Sequence, residues 1–235
     1  MEYSSKILLV EGDTDKSLFE KICKNLSLDA SVLVAVPKDL AEPDDLDGKK
    51  NSKQGVFQRL ELLLRQLNDG TYTHIAIVVD ADYSQCNGLG FQRTIDKVSE
   101  IVRPYAFELD ENSVHGICYK NTEGLADFGL WIMPDNQNEG MLEDWIKSCV
   151  KESEQELFQQ VVAVVEKIPE PKFSEHSKSK AEVATWLAWQ KKPGHGLYHV
   201  IKDGFLQKEH LLKVDHPLFK ELEQWLIKVF ADLPE

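Results

Sequence analysis

Two aliphatic runs, each halted by an acid, constrain this chain more than any other feature of its sequence. Lys6–Val10 reads Lys-Ile-Leu-Leu-Val and is followed by Glu11-Gly12; residues 75–79 read Ile-Ala-Ile-Val-Val and are followed by Asp80-Ala81-Asp82. Successive side chains of a strand point to opposite faces, so an unbroken apolar run is apolar on both. Such a strand belongs inside a sheet covered on both sides, the usual setting of parallel strands joined by helices. The sequence between the runs supplies the helices. Residues 14–25 place Leu18, Phe19 and Ile22 on one stripe with Leu26, and residues 54–67 do the same with Val56, Leu60, Leu63, Leu64 and Leu67.

Further segments extend the alternation. Residues 31–36 form a β-branched run closed by Pro37, and a polar, acidic loop covers 38–53. Residues 91–102 read as a helix, 114–119 as a short strand, and 129–133 as a further strand before Pro134. The second half changes character: 141–167 is largely helical, 181–190 is a short Trp-bearing helix, and 217–230 is a closing amphipathic one. The expected fold is α/β: a parallel sheet flanked by helices over residues 1–135, with a mostly helical portion, 136–235, packed on it.

Composition narrows the function classes. With 27 Lys+Arg against 40 Asp+Glu, the 235-residue chain carries a net charge of −13. That balance argues against gripping nucleic acid through a broad basic surface. Five Trp and ten Phe among repeated aliphatic blocks exclude a disordered chain. The longest apolar runs are five residues, far short of the about 20 that cross a bilayer, so no membrane partner is expected. The four Cys form no C-x-x-C pair and the seven His no H-E-x-x-H, which leaves zinc without a ligand set. The first residues carry no signal-peptide pattern, and reduced thiols in a cytoplasmic setting are the expectation.

The acids carry the chemistry. In parallel sheets, ligands gather beyond the carboxyl ends of the strands. Residues i and i+2 of an extended chain point the same way, so Asp80 and Asp82 are expected to face one site. Glu11 joins them if its strand is a neighbour, and Asp15, in the first turn of the following helix, can return to the same mouth. Carboxylates this close raise each other's pKa unless a cation relieves them. Hard oxygen donors in this number suit Mg²⁺ or Mn²⁺. Taken singly, Asp15 reads equally as a first-turn acid favoured by the helix dipole, and Glu11 or Asp80 as a loop starter.

Residues 9–15, Leu-Val-Glu-Gly-Asp-Thr-Asp, and 78–82, Val-Val-Asp-Ala-Asp, resemble the two signature motifs of TOPRIM domains. The resemblance implies that Glu11, Asp80 and Asp82 hold Mg²⁺ for nicking, joining or phosphodiester hydrolysis, with Glu11 as ligand or general base. The topoisomerase form continues Asp-x-Asp-x-x-Gly, and Gln85 stands here in the last position. The chain looks closer to the DUF3226 family, related to OLD-type TOPRIM nucleases, through residues 129–136, Gly-Leu-Trp-Ile-Met-Pro-Asp-Asn, and 140–144, Gly-Met-Leu-Glu-Asp. Arg93 fits the same pattern. OLD-type enzymes add a downstream acid and a late lysine. By resemblance these are Glu143, ahead of Asp144, and Lys180, ahead of Lys178.

Each late candidate has a plainer reading. Glu143 and Asp144 open a helix, where acids are favoured regardless of function. Lys178 and Lys180 belong to a polar stretch, 174–180, that reads as a solvated loop. Trp186 and Trp189 read as core, and Gly194-His195-Gly196 as a turn. The implied activity is Mg²⁺-dependent phosphodiester hydrolysis or phosphotransfer on nucleic acid, DNA ahead of RNA. The alternative is a non-catalytic subunit beside a separate ATPase in a repair or phage-defence assembly, since the chain lacks G-x-x-x-x-G-K-[ST]. A receiver-type phosphoacceptor fits less well, because Glu11 is followed by Gly12 and not by a second acid. Lysines 49, 50, 53, 178, 180, 191 and 192 form a candidate basic rim around the site.

Overall fold

The computed structural model describes residues 4–35, 52–194, 196–204 and 210–231. In chain order the elements are β1 (Lys6–Val10), α1 (Asp13–Asn25), β2 (Ser31–Val34), α2 (Lys53–Asn68), β3 (His74–Asp80), α3 (Phe91–Val102) and β4 (Phe107–Leu109). Then follow β5 (Ile117–Asn121), β6 (Phe128–Met133), α4 (Leu142–Ser148), α5 (Glu152–Glu166), α6 (Lys178–Ala188) and α7 (Pro217–Phe230). The strands form one sheet in the order β2-β1-β3-β6-β5-β4. The fold is α/β, as expected.

The alternation of the aliphatic strands divides the core in two. Leu8 and Val10 of β1, Ala76 and Val78 of β3, and Trp131 of β6 face α1 and α4–α7. Ile7, Leu9, Ile75, Ile77, Val79, Leu130 and Ile132 face α2 and α3 on the other side. The helices of the second half thus share a core with the sheet. One close approach is at Gly129 of β6, where an added Cβ would lie 2.7 Å from Val229 of α7 and 3.1 Å from Ala76 of β3. The missing side chain lets α7 settle on β3 and β6, with the Trp225 ring tilted at 51° to Trp131 and the centroids 5.5 Å apart.

The sheet differs from the expected parallel arrangement at one edge. β1 pairs in parallel with β2 and β3, and β3 with β6, but β5 pairs antiparallel with both β6 and β4. Only residues 122–127 separate β5 from β6, too few for the crossover of about a dozen residues that a parallel pair requires. The helical stretch 141–167 is also interrupted. Lys213 donates its N–H to the Cys149 carbonyl at 2.7 Å, and Lys151 donates to Leu211 at 3.0 Å. These long-range backbone bonds separate α4 from α5. Among the described residues no helix is long and apolar enough to cross a membrane.

Candidate functional site

β1 lies between β2 and β3, so the chain leaves β1 in one direction and returns on the other side of it. A crevice opens at the carboxyl ends of strands where the order reverses in this way, and ligands of open α/β sheets gather there. Glu11 and Asp80 stand at that crevice. Register pairs Leu9 with Ile77, and the Glu11 carboxylate reaches across to accept the Asp80 N–H at 2.9 Å. Asp80 accepts in turn from the Leu142 N–H at 2.9 Å, at the start of α4. Asp15 accepts the Gly12 N–H at 3.1 Å, closing the first turn of α1. The plain reading of Asp15 as a helix-start acid therefore holds, and the same carboxylate also borders the crevice.

A cavity of about 290 Å³ lies in the crevice, its lining including Glu11, Thr14, Asp15, Asp80, Glu143 and Lys180. Residues from the end of β3, from α1, α4 and α6, and from the turn after β1 thus meet on one space. Burial pushes Glu11 up to about 7, opposed by the Asp80 N–H and by Lys53 and reinforced by Asp15 and Asp82. Burial likewise lifts Asp15 to about 6, with Glu143 adding to the rise. Asp80 is raised well above the ordinary carboxylate range by burial and then by Glu11, Asp15 and Glu143. Glu143 is raised by burial. Burial pulls Lys180 down, but Glu143, Asp80, Asp15 and Glu11 outweigh it and hold the ammonium above its ordinary value.

The donor set suits a hard divalent cation. Its members are carboxylate oxygens, and Glu143 Oε2 is buried without a hydrogen-bond partner. Glu11, Asp15 and Asp80 each spend an oxygen on a backbone N–H, which fixes their direction. The acids ring the space without closing on one point: among the described residues no three His, Cys, Asp or Glu are gathered to hold an ion as they stand.

The other candidates lie apart from the cavity lining. Asp82 adopts φ +61°, which breaks the extended path needed for it to point with Asp80. Its Oδ2 sits 2.6 Å from Lys53 Nζ, and its backbone pairs with Gly140. Lys178 lies 3.9 Å from Glu166. Asp144, beside Glu143, is a hub: it accepts from Met141 N–H at 3.0 Å, Tyr83 Oη at 2.6 Å and Ser179 Oγ at 2.6 Å. The stretch 174–180 is not a loop throughout, since α6 begins at Lys178. Trp186 is fully buried, while Trp189 keeps 43% of its exposure. Of the expected basic rim, Lys53 is buried and ion-paired. Lys49, Lys50 and His195 lie outside the described residues.

Two contributors carried no local signal. Lys53 reads as the last charge of a polar loop, and its contact with Asp82 spans 29 residues. The Leu142 N–H is a backbone donor, which a side-chain pattern cannot reveal.

Residues 5–231 match the profile of a family described as "protein of unknown function (DUF3226)", and the chain belongs to that family. No curated protein and no solved structure matches the chain.

Proposed function

We propose that the chain is a divalent-cation-dependent phosphodiesterase of TOPRIM type, related to OLD nucleases and acting on nucleic acid, DNA ahead of RNA. One observation carries the reading: Glu11, Asp15, Asp80 and Glu143 meet Lys180 on a single cavity at the switch point of the sheet. Glu11, Asp15, Asp80 and Glu143 would hold Mg²⁺ or Mn²⁺. When bound, such an ion activates water and neutralises phosphoryl oxygens.

The chain's own groups do the rest. Lys180 remains protonated at neutral pH and opposes the charge that develops on the phosphoryl oxygens. Where Glu11 stays off the ion, its proton affinity, raised to about 7 by burial, makes it instead the general base for attacking water. The Asp80 and Leu142 N–H groups orient Glu11 and Asp80 before substrate arrives, which lowers the reorganisation needed in the reaction. Asp82, paired with Lys53, braces the loop that follows Asp80. With a net charge of −13, binding to long DNA by this chain alone is weak and salt-sensitive.

The second reading is a non-catalytic subunit of an ATPase-containing assembly. It is favoured by the lack of three acids gathered on one point among the described residues. Incubation with supercoiled DNA, linear DNA and RNA, in Mg²⁺, Mn²⁺ or a chelator, separates the two. Metal-dependent nicking supports the enzyme. No cleavage of any of the three under either metal favours the subunit.

A further inference from the structure

A second cavity, of about 350 Å³, opens beside the acidic one and shares Thr14, Glu143 and Lys180 with it. Beyond those three the character changes. Its wall is Val183, Ala184 and Leu187 on successive turns of α6, faced by Leu197. Among the described residues no charged side chain lines it apart from the two it shares. Val183, Leu187 and Leu197 are buried in the fold, while Ala184 stands exposed to the space. Each cavity is close to the lower end of the about 300–1,000 Å³ range of ligand pockets. Together they form a two-part site, charged at one end and apolar at the other, with Lys180 at the junction.

We propose that the apolar cavity seats the base of the nucleotide whose phosphate lies at Lys180, so that the substrate is a nucleotidyl ester presenting a free base. The inference rests on the phosphodiesterase reading and adds the substrate class. Lys180 is the cation that both spaces share, so a phosphate there lies at the edge of the apolar wall. A base held by apolar contact is unpaired and unstacked from its neighbours. The interior of an intact duplex cannot supply one without flipping it out. A strongly acidic chain also repels a continuous phosphate backbone more than a single phosphate over one lysine.

The test pairs thymidine 5′-(p-nitrophenyl phosphate) with methyl p-nitrophenyl phosphate, which share a leaving group and differ in the nucleoside. Wild type should favour the nucleoside ester by at least about tenfold in kcat/KM, the scale of an apolar group filling a pocket. Ala184→Trp, which fills the cavity from an exposed helical position, should collapse that preference chiefly through KM. An equal preference in both proteins, or none in wild type, overturns the proposal.

Calorimetric binding of thymidine monophosphate against methyl phosphate reads the subsite without turnover. If wild type and Asp80→Asn both prefer the nucleotide and Ala184→Trp does not, the subsite stands even where hydrolysis fails. Competition by a phosphorylated single strand places the base at a strand end; competition by mononucleotide alone makes the substrate a free nucleotide. Both support the proposal. Equal competition by blunt duplex and by its single strands, at matched nucleotide concentration, contradicts it.

Discussion

Lys53 Nζ lies 2.6 Å from Asp82 Oδ2, with 10% of the lysine side chain and 25% of the aspartate exposed. The lysine also donates to the Ala81 carbonyl at 3.1 Å. It therefore ties the start of α2 to the loop that follows β3. Asp82 is held from behind as well, because a Cβ at residue 88 would come within 2.4 Å of the Asp82 Cβ. The second acid of Asp-x-Asp is thereby ion-paired beside the crevice, and Asp80 alone of the two lines it.

Removing the lysine leaves Asp82 partly buried and facing the His176 ring, 3.8 Å away, in place of an ammonium. Lys53→Met should cost roughly 1–3 kcal/mol in urea unfolding, between the about 0–1 of exposed pairs and the about 3–5 of broken buried ones. Adding Asp82→Asn should recover part of that loss. Additive single-variant losses would show that the pair carries no coupling.

The pH dependence of the metal-free protein has a definite sign. Glu11 rises from an ordinary 4.5 to about 7 and Asp15 from 3.8 to about 6, burial leading in both. Folded-state values above unfolded ones mean that the native state holds these protons more tightly. Their contribution is complete below the unfolded values and is lost as pH rises through the folded ones. A tenfold difference in proton affinity between the folded and unfolded states corresponds to about 1.4 kcal/mol. Wild type should therefore lose stability relative to Glu11→Gln between pH 4.5 and about 7, and Mg²⁺ should return it at neutral pH. Parallel profiles for the two proteins would contradict the assignment.

Adjacent acids should behave oppositely. Glu143 Oε2 is buried without a partner, so Glu143→Gln should leave stability unchanged or raised while weakening Mn²⁺ binding. Asp144 receives Met141, Tyr83 and Ser179. Asp144→Ala should lower stability by roughly 1–3 kcal/mol, because buried donors lose their acceptor. Thermal denaturation with Mn²⁺ titration of both variants checks the contrast.

Gly129→Ala tests the seat of α7. The new methyl meets Val229 at 2.7 Å and Ala76 at 3.1 Å. Overpacking of this kind costs about 1–3 kcal/mol, and the loss should appear as a lower unfolding midpoint with an unchanged slope. A neutral substitution would mean that α7 shifts freely on the sheet.

Much of this architecture is legible locally. β1 and β3 stand out because unbroken apolar runs have few alternatives, and α7 matches its expected span of 217–230 because Pro217 opens it. β4 escapes notice because it has only three residues, Phe-Glu-Leu. The fifth strand starts later than its β-branched signal suggests, since Val114 is 79% exposed and Gly116 turns at φ +61°. At the site, Glu11 and Asp80 announce themselves by following buried strands. The separation of Asp80 from Asp82 depends on a left-handed residue and a lysine from a distant helix. Which of Lys178 and Lys180 faces the acids depends on where α6 begins, and a polar stretch does not encode that.

If the crevice acids and Lys180 form a divalent-cation-dependent phosphodiesterase, Asp80 is the residue on which the activity turns. Asp80→Asn tests this most directly, since the amide oxygen can still accept the Leu142 N–H and preserve the local fold. The measurement is the rate of phosphodiester cleavage across a Mg²⁺ titration for wild type and Asp80→Asn, with unfolding midpoints shown to agree. Expected is a saturable Mg²⁺ dependence in wild type and its loss in the variant. Cleavage that needs no divalent ion, or that persists undiminished in Asp80→Asn, would contradict the proposed activity.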